Sequence, residues 1–449
     1  MKLNKISLLN LLGVAIGIGL WVSFAGLKDP ETLGSSTVWV DGADPTCGGT
    51  SPCFRTIQAA VEAVDDSDPQ GGFVFIRPGR YRENVVIKRT VSLIGVEGIV
   101  RIEPADPTRP TILISNGLQS RPIKTIHNLE IAGGTIAIEI VDAWVHSLFG
   151  NRITSLTNLG SSFAPPSVAS RMIDLMNAGI WVERAVIGGT GGGILSNEIS
   201  YARAGIVIGQ EASVSDISKN TIQRTGWGIY LQNQMYITRI ANNVFKHDGI
   251  HIRVTGKATS PGRIEIVSNQ MLLAELHGIE VNAEGMNLTI ENNLITNSGM
   301  AGILLSCQSP SFVTPVWVGE EDPCPRQQGP DFIIIRNHIV GGQYGIILVT
   351  GKGKILRNRI SENGSTTSIL KGAGLLLGQK MQVDISHNWI VNNTLGAGYS
   401  VLAAYQPDCQ FLERPPFEGK LTGVNNEIHE NEFADLCPPD YPWPPGFRK

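Results

Sequence analysis

Charge is scarce in this chain: 17% of its 449 residues are Asp, Glu, Lys or Arg, and the formal net charge is −4. No long basic run occurs and RNP, zinc-finger and helix-turn-helix signatures are absent, so nothing points to a nucleic-acid partner. Aromatic residues are few as well, at 6%. Beyond the N-terminus only one short segment has helical periodicity. Elsewhere the apolar runs are three to five residues long, β-branched and punctuated by Gly or Asn, which excludes a helical body. No C-x-x-C is present and no His stands at ligand spacing from a cysteine, which makes a zinc site on the cysteines a weak reading.

What the sequence has instead is repetition. Gly205-Ile206-Val207-Ile208 recurs as Gly228-Ile229-Tyr230-Leu231, Gly249-Ile250-His251-Ile252 and Gly278-Ile279-Glu280-Val281. Each is followed by an Asn-x-apolar phrase, at Asn220, Asn243, Asn269 and Asn293, in steps of 23, 26 and 24 residues. A fixed period in this range signals stacked supersecondary units. Alternating apolar residues within a unit make short strands, and strands at a regular period make a coil. Coils in register would lie about 4.8 Å apart. The Asn residues are expected at tight corners, tolerating left-handed backbone and bonding to the Asn above and below. Asn337, Asn358, Asn388 and Asn431 continue the series after insertions, and the count comes to roughly a dozen coils.

Residues 1–27 read as a secretory signal or, alternatively, an uncleaved N-terminal anchor: Lys2 and Lys5 precede an apolar run, and Ser23-Phe24-Ala25 is a small-x-small cleavage site. Either places residues 28–449, the repeat domain, in a secreted, periplasmic or cell-surface setting. Six cysteines agree with that compartment and fall into local pairs, Cys47/Cys53, Cys307/Cys324 and Cys409/Cys437. The last two pairs would staple insertions near 306–330 and 403–437. Thr56 to Asp66 forms the one amphipathic helix, expected to cap the open end of the coil stack. The Pro-rich tail from Cys437 onward is expected to cover the other end.

The stretch Gly79-Arg80-Tyr81-Arg82-Glu83-Asn84-Val85, with the helix before it, resembles the first motif of pectin methylesterases and hence the opening of the pectin-lyase-like superfamily. The resemblance implies an all-β fold, a right-handed single-stranded parallel β-helix with a short N-terminal capping helix. Glu83 is expected to pair with a nearby Arg. The esterase's downstream Gln loop, paired Asp and Arg are missing, as are the polygalacturonase, epimerase and pectate-lyase motifs. The later repeats resemble general parallel β-helix repeat proteins, including the periplasmic copper-accessory type and sugar-binding or sugar-cleaving members.

Aligning the units by their Gly places Trp227, Tyr230, Gln232, Asp248, His251, Arg253, His277, Glu280 and Asn282 on one outward face. Aromatic rings beside planar polar groups suit a sugar, so Trp227, Tyr230, Gln232, His277 and Asn282 are candidate substrate-binding residues. Asp248 and Glu280 form a candidate acid–base pair, and His251 with Arg253 a candidate base and carboxylate clamp for lyase chemistry. His247, His251, His277 and Asp248 could alternatively hold a divalent metal. The expected function is binding, and potentially cleavage or modification, of a polysaccharide by a lyase or glycoside hydrolase. The alternative is a non-catalytic accessory or scaffold protein whose outward positions are polar because water is there.

Overall fold

The structure, a computed structural model, describes residues 36–67, 71–118, 121–155, 177–232, 238–257, 263–306, 329–364, 372–399, 419–437, 439 and 443–447. The signal or anchor segment and Cys307, Cys324 and Cys409 lie outside the described residues. Strands dominate, in two parallel sheets of twenty-eight and thirteen strands. Each coil contributes one short strand to the smaller sheet, in agreement with the dozen or so coils read from the repeats. Pairing runs from each coil to the next: Trp227–Gln232 lies between Ala204–Ile208 and Ile250–Lys257. Inward side chains such as Ile206, Ile229, Ile252 and Ile279 stack into one continuous core along the coil axis.

The Asn residues form an unbroken internal ladder through Asn151, Asn197, Asn220, Asn243, Asn269, Asn293, Asn337, Asn358, Asn388 and Asn426. Asn243 shows the pattern. Its amide nitrogen donates to the Ile217 carbonyl at 2.8 Å and to Asn269 Oδ1 at 3.0 Å, while its oxygen accepts from the backbone and side chain of Asn220. A buried amide thereby satisfies both donors and its acceptor. Two expectations change. The left-handed residue is the one before the ladder Asn, as at Ser196, Lys219, Asn242 and Ser268. Asn431 belongs to a second, shorter ladder with Asn363 and Asn393, one corner further on. From Glu198–Ser200 onward each short strand is closed by another left-handed residue, such as Tyr201, Arg224 or His247, so two sharp turns bracket these arcs.

The capping helix α1 spans Ile57–Ala63 and buries Ile57, Ala60 and Val61 against the first coils. Thr56 caps it, accepting from the Ala59 N–H. Glu83 does not pair with an Arg as expected; its carboxylate accepts from the Ile57 and Gln58 N–H groups at 2.9 and 3.0 Å. An anion at a helix start meets unpaired donors and the positive end of the dipole, which is a stronger claim on it than a surface guanidinium. Tyr81 is buried and donates to the Arg77 carbonyl, so the Gly-x-Tyr-x-Glu string is spent on folding. Cys47 and Cys53 are bonded to each other, and Cys437 is buried in a disulfide. At the far end Trp443 and Phe447 join the core, and the Gly446 carbonyl accepts from the Asn426 N–H, closing the ladder. Among the described residues no helix is long and apolar enough to cross a membrane.

Candidate functional site

The strand-to-strand register decides which side chains share the outward face. One outward column runs Glu139, Trp181, Val207, Tyr230, Arg253, Glu280, Leu304. A second runs Ala204, Trp227, Ile250, His277, Ala301, and a third runs Gln232, Thr255, Asn282, Ser306. The coil starting at Asn243 is therefore shifted by two residues from the expected alignment. Arg253, not His251, stacks on Tyr230, and Ile250, not Asp248, stacks on Trp227.

His251 and Asp248 are thereby removed from the candidate face. His251 occupies the position held by Gly228 and Gly278 in the neighbouring coils, a column that packs inward. A Cβ at Gly228 would meet Phe245 Cδ1 at 2.9 Å, and one at Gly278 would meet Ile295 Cγ2 at 2.6 Å. Room for an imidazole exists at this one coil because the short-strand column, Ile in the coils on either side, reads Phe245 and then the unbranched Met271. The His251 ring lies 5.5 Å from that of Phe245 and is fully buried. Its Nδ1 is 2.9 Å from Asp248 Oδ2, and Asp248 Oδ1 accepts from the Thr225 N–H and hydroxyl. Burial raises the Asp248 carboxyl above its ordinary range, against the pull of His251 and Thr225. Asp248 thus fills the second corner in the way Asn363 and Asn393 do further along, and the His–Asp pair is an internal corner piece.

The remaining candidates do come together. The rings of Trp227 and Tyr230 lie 5.1 Å apart, tilted by 33°. The Arg253 guanidinium sits 5.3 Å from the centre of the Trp227 ring and 6.0 Å from that of Tyr230, within the range of a cation–π contact. It also reaches Glu280 Oε1 at 3.4 Å, and the Asn282 amide donates to the same oxygen. Tyr230 bonds through its hydroxyl to Thr255, a residue the sequence reading did not single out, at 3.0 Å. His277 stands in the Trp227 column two coils on. Trp227, Arg253, His277, Glu280 and Asn282 are buried, whereas Tyr230, Gln232 and Thr255 are part-exposed, so the group has a polar floor and an accessible rim.

Burial governs the charges here. It raises the Glu280 carboxyl above its ordinary range, opposed by Arg253 and Asn282. Burial first and the charge of Arg253 second push His277 down to about 3, so it is a neutral ring at physiological pH, although its bond to the Ala301 backbone works the other way. Buried atoms of this group without a hydrogen-bond partner include Trp227 Nε1, His277 Nδ1, Glu280 Oε2 and Asn282 Oδ1. Further up the same column Glu139 is raised by burial and then by the charge of Glu183; the irregular repeats before Ala178 hid it from the sequence reading. Among the described residues no three His, Cys, Asp or Glu gather as a metal site. An acidic cleft of about 380 Å³, lined by Glu362, Glu430 and Glu432 among others, lies in the last coils, away from this face.

With the winding and the register established, comparison with known proteins bears on the fold. Residues 119–314 match the family model described as a right handed beta helix region. The chain is a right-handed parallel β-helix protein. No curated protein matches this chain. Among solved structures it is similar to DFA-IIIase from Arthrobacter chlorophenolicus A6 in complex with GF2, at 13% identity over 78% of this chain and 94% of that chain, with a TM-score of 0.47. It is also similar to the catalytic domain of a GH87 alpha-1,3-glucanase in complex with nigerose, at 12% identity over 87% of this chain and 65% of that chain, with a TM-score of 0.46. The A-module of an Azotobacter vinelandii mannuronan C-5 epimerase aligns at 14% identity over 86% of this chain and 95% of that chain, with a TM-score of 0.36. Likenesses of this size carry no argument about activity.

Proposed function

We propose that this β-helix is an extracytoplasmic protein that binds a glycan on the outward face of the coils carrying Trp227, Arg253 and Glu280. One observation carries the reading: two aromatic rings 5.1 Å apart stand beside a buried Arg253–Glu280–Asn282 network with unused hydrogen-bonding atoms. A sugar presents a C–H face that stacks on rings and hydroxyls that bond to planar polar groups. The Cys47–Cys53 disulfide and the bonded Cys437 support an oxidising compartment.

Binding is favoured over cleavage. The acid–base pair read from the sequence is divided between the interior, with Asp248, and the outward face, with Glu280, and His251 is inside as well. The accessory or scaffold alternative draws on the burial of Glu280 and His277, which leaves only the rim open. A glycan array separates the readings: binding that is lost in Trp227→Ala and Tyr230→Ala supports the site, and binding unchanged in both variants rejects it. Release of product from a polymer, abolished in Glu280→Gln, would instead establish an enzyme.

A further inference from the structure

The hydrogen-bonding inventory of this face says more than that a glycan fits. Among the buried atoms of this face that have no hydrogen-bond partner, Glu280 Oε2 and Asn282 Oδ1 are acceptors and Trp227 Nε1 is a donor. The assignment follows from the neighbours. Asn282 spends its amide nitrogen on Glu280 Oε1, which leaves its oxygen facing outward from that bond. A buried polar atom left without a partner is costly, so a matched ligand brings both donors and acceptors, as hydroxyl groups do.

Charge narrows the choice further. Arg253 and Glu280 neutralise each other at 3.4 Å, and Arg253 lies against both rings. A uronate would bring a second carboxylate beside Glu280. An ammonium would bring a second cation beside Arg253. Neither extra charge has a counter-charge in the group, and burying an unpaired charge is unfavourable. Resting on the glycan-binding reading above, we infer that the ligand is an uncharged, hydroxyl-rich sugar whose O–H groups donate to Glu280 and Asn282 and whose oxygens accept from Trp227 Nε1.

Calorimetric titration of the full chain with matched neutral, uronate and amino-sugar oligosaccharides tests this. The neutral oligomer is expected to bind best, with an affinity that added salt leaves unchanged. Glu280→Gln, which keeps the shape and replaces an acceptor by a donor, is expected to weaken that binding roughly tenfold. Trp227→Ala is expected to weaken it by a similar factor, roughly tenfold, through loss of stacking; circular dichroism of each variant checks that it is folded. Tighter, Trp227-dependent binding of the uronate or the amino sugar would overturn the neutral-ligand inference and leave the site standing. Absence of Trp227-dependent binding for all three oligomers would overturn both.

Discussion

Arg253 and His277 are the residues on which the face turns. Arg253 compensates a carboxylate that is fully buried, so Arg253→Met should cost about 3–5 kcal/mol by stranding Glu280. Urea unfolding would show it, and Arg253→Met combined with Glu280→Gln should recover a large part of the loss. His277 has the opposite dependence on its surroundings. Its folded pKa of about 3 lies below the ordinary 6.5, so between these values the unfolded chain binds the extra proton and stability rises with pH. Stability contributed by the neutral ring is complete above pH 6.5 and is lost as pH falls toward about 3. Unfolding curves across that range should therefore be steeper in pH for the wild type than for His277→Gln. Equal slopes would show that the ring takes up its proton freely in the folded protein.

At the scale of the element, the repeat was legible and one register was not. Strands, Asn corners and the stacking of Tyr230 near Glu280 follow from Gly and Asn spacing, and the capping helix from the apolar face of Ile57, Ala60, Val61 and Val64. The exception is the coil starting at Asn243, where Gly249 is not the inward residue. In the coils starting at Asn197 and Asn220 the inward Gly comes eight residues after the Asn, and eight from Asn243 is His251. Counting from the ladder would have found the shift. Gly249 instead matches Gly226, whose carbonyl lies 2.5 Å from where a Gly249 Cβ would stand. The role of Glu83 was hidden for a different reason: its partners are backbone N–H groups of a helix more than twenty residues earlier, and no side-chain pattern records them. Two predictions belong here. Glu83→Ala should cost about 1–2 kcal/mol through loss of the helix cap, read by thermal unfolding. Asp248→Asn together with His251→Gly restores the corner used by Asn393 and Gly396, and should be more stable than either single variant, with a coupling of about 0.5–3 kcal/mol in a double-mutant cycle.

Across the whole molecule, each coil touches only its neighbours, so stability is close to a sum of coil-to-coil interfaces. The Asn ladder is the polar thread through those interfaces, from Asn151 to Asn426. Asn243→Ala breaks it mid-stack, leaving the Ile217 carbonyl without its 2.8 Å donor and the Asn220 amide without its acceptor. The expected loss is about 2–4 kcal/mol, detectable as a lower urea midpoint. The same stacking brings residues from separate coils, Trp227 and Tyr230 from one, Arg253 from the next and Glu280 from a third, into one patch. The most direct test of that patch is a crystal structure of the protein grown with a neutral oligosaccharide. A sugar ring stacked on Trp227 and Tyr230, with hydroxyls on Glu280 and Asn282, is the predicted result; sugar bound on another surface, with this face unchanged, would contradict it.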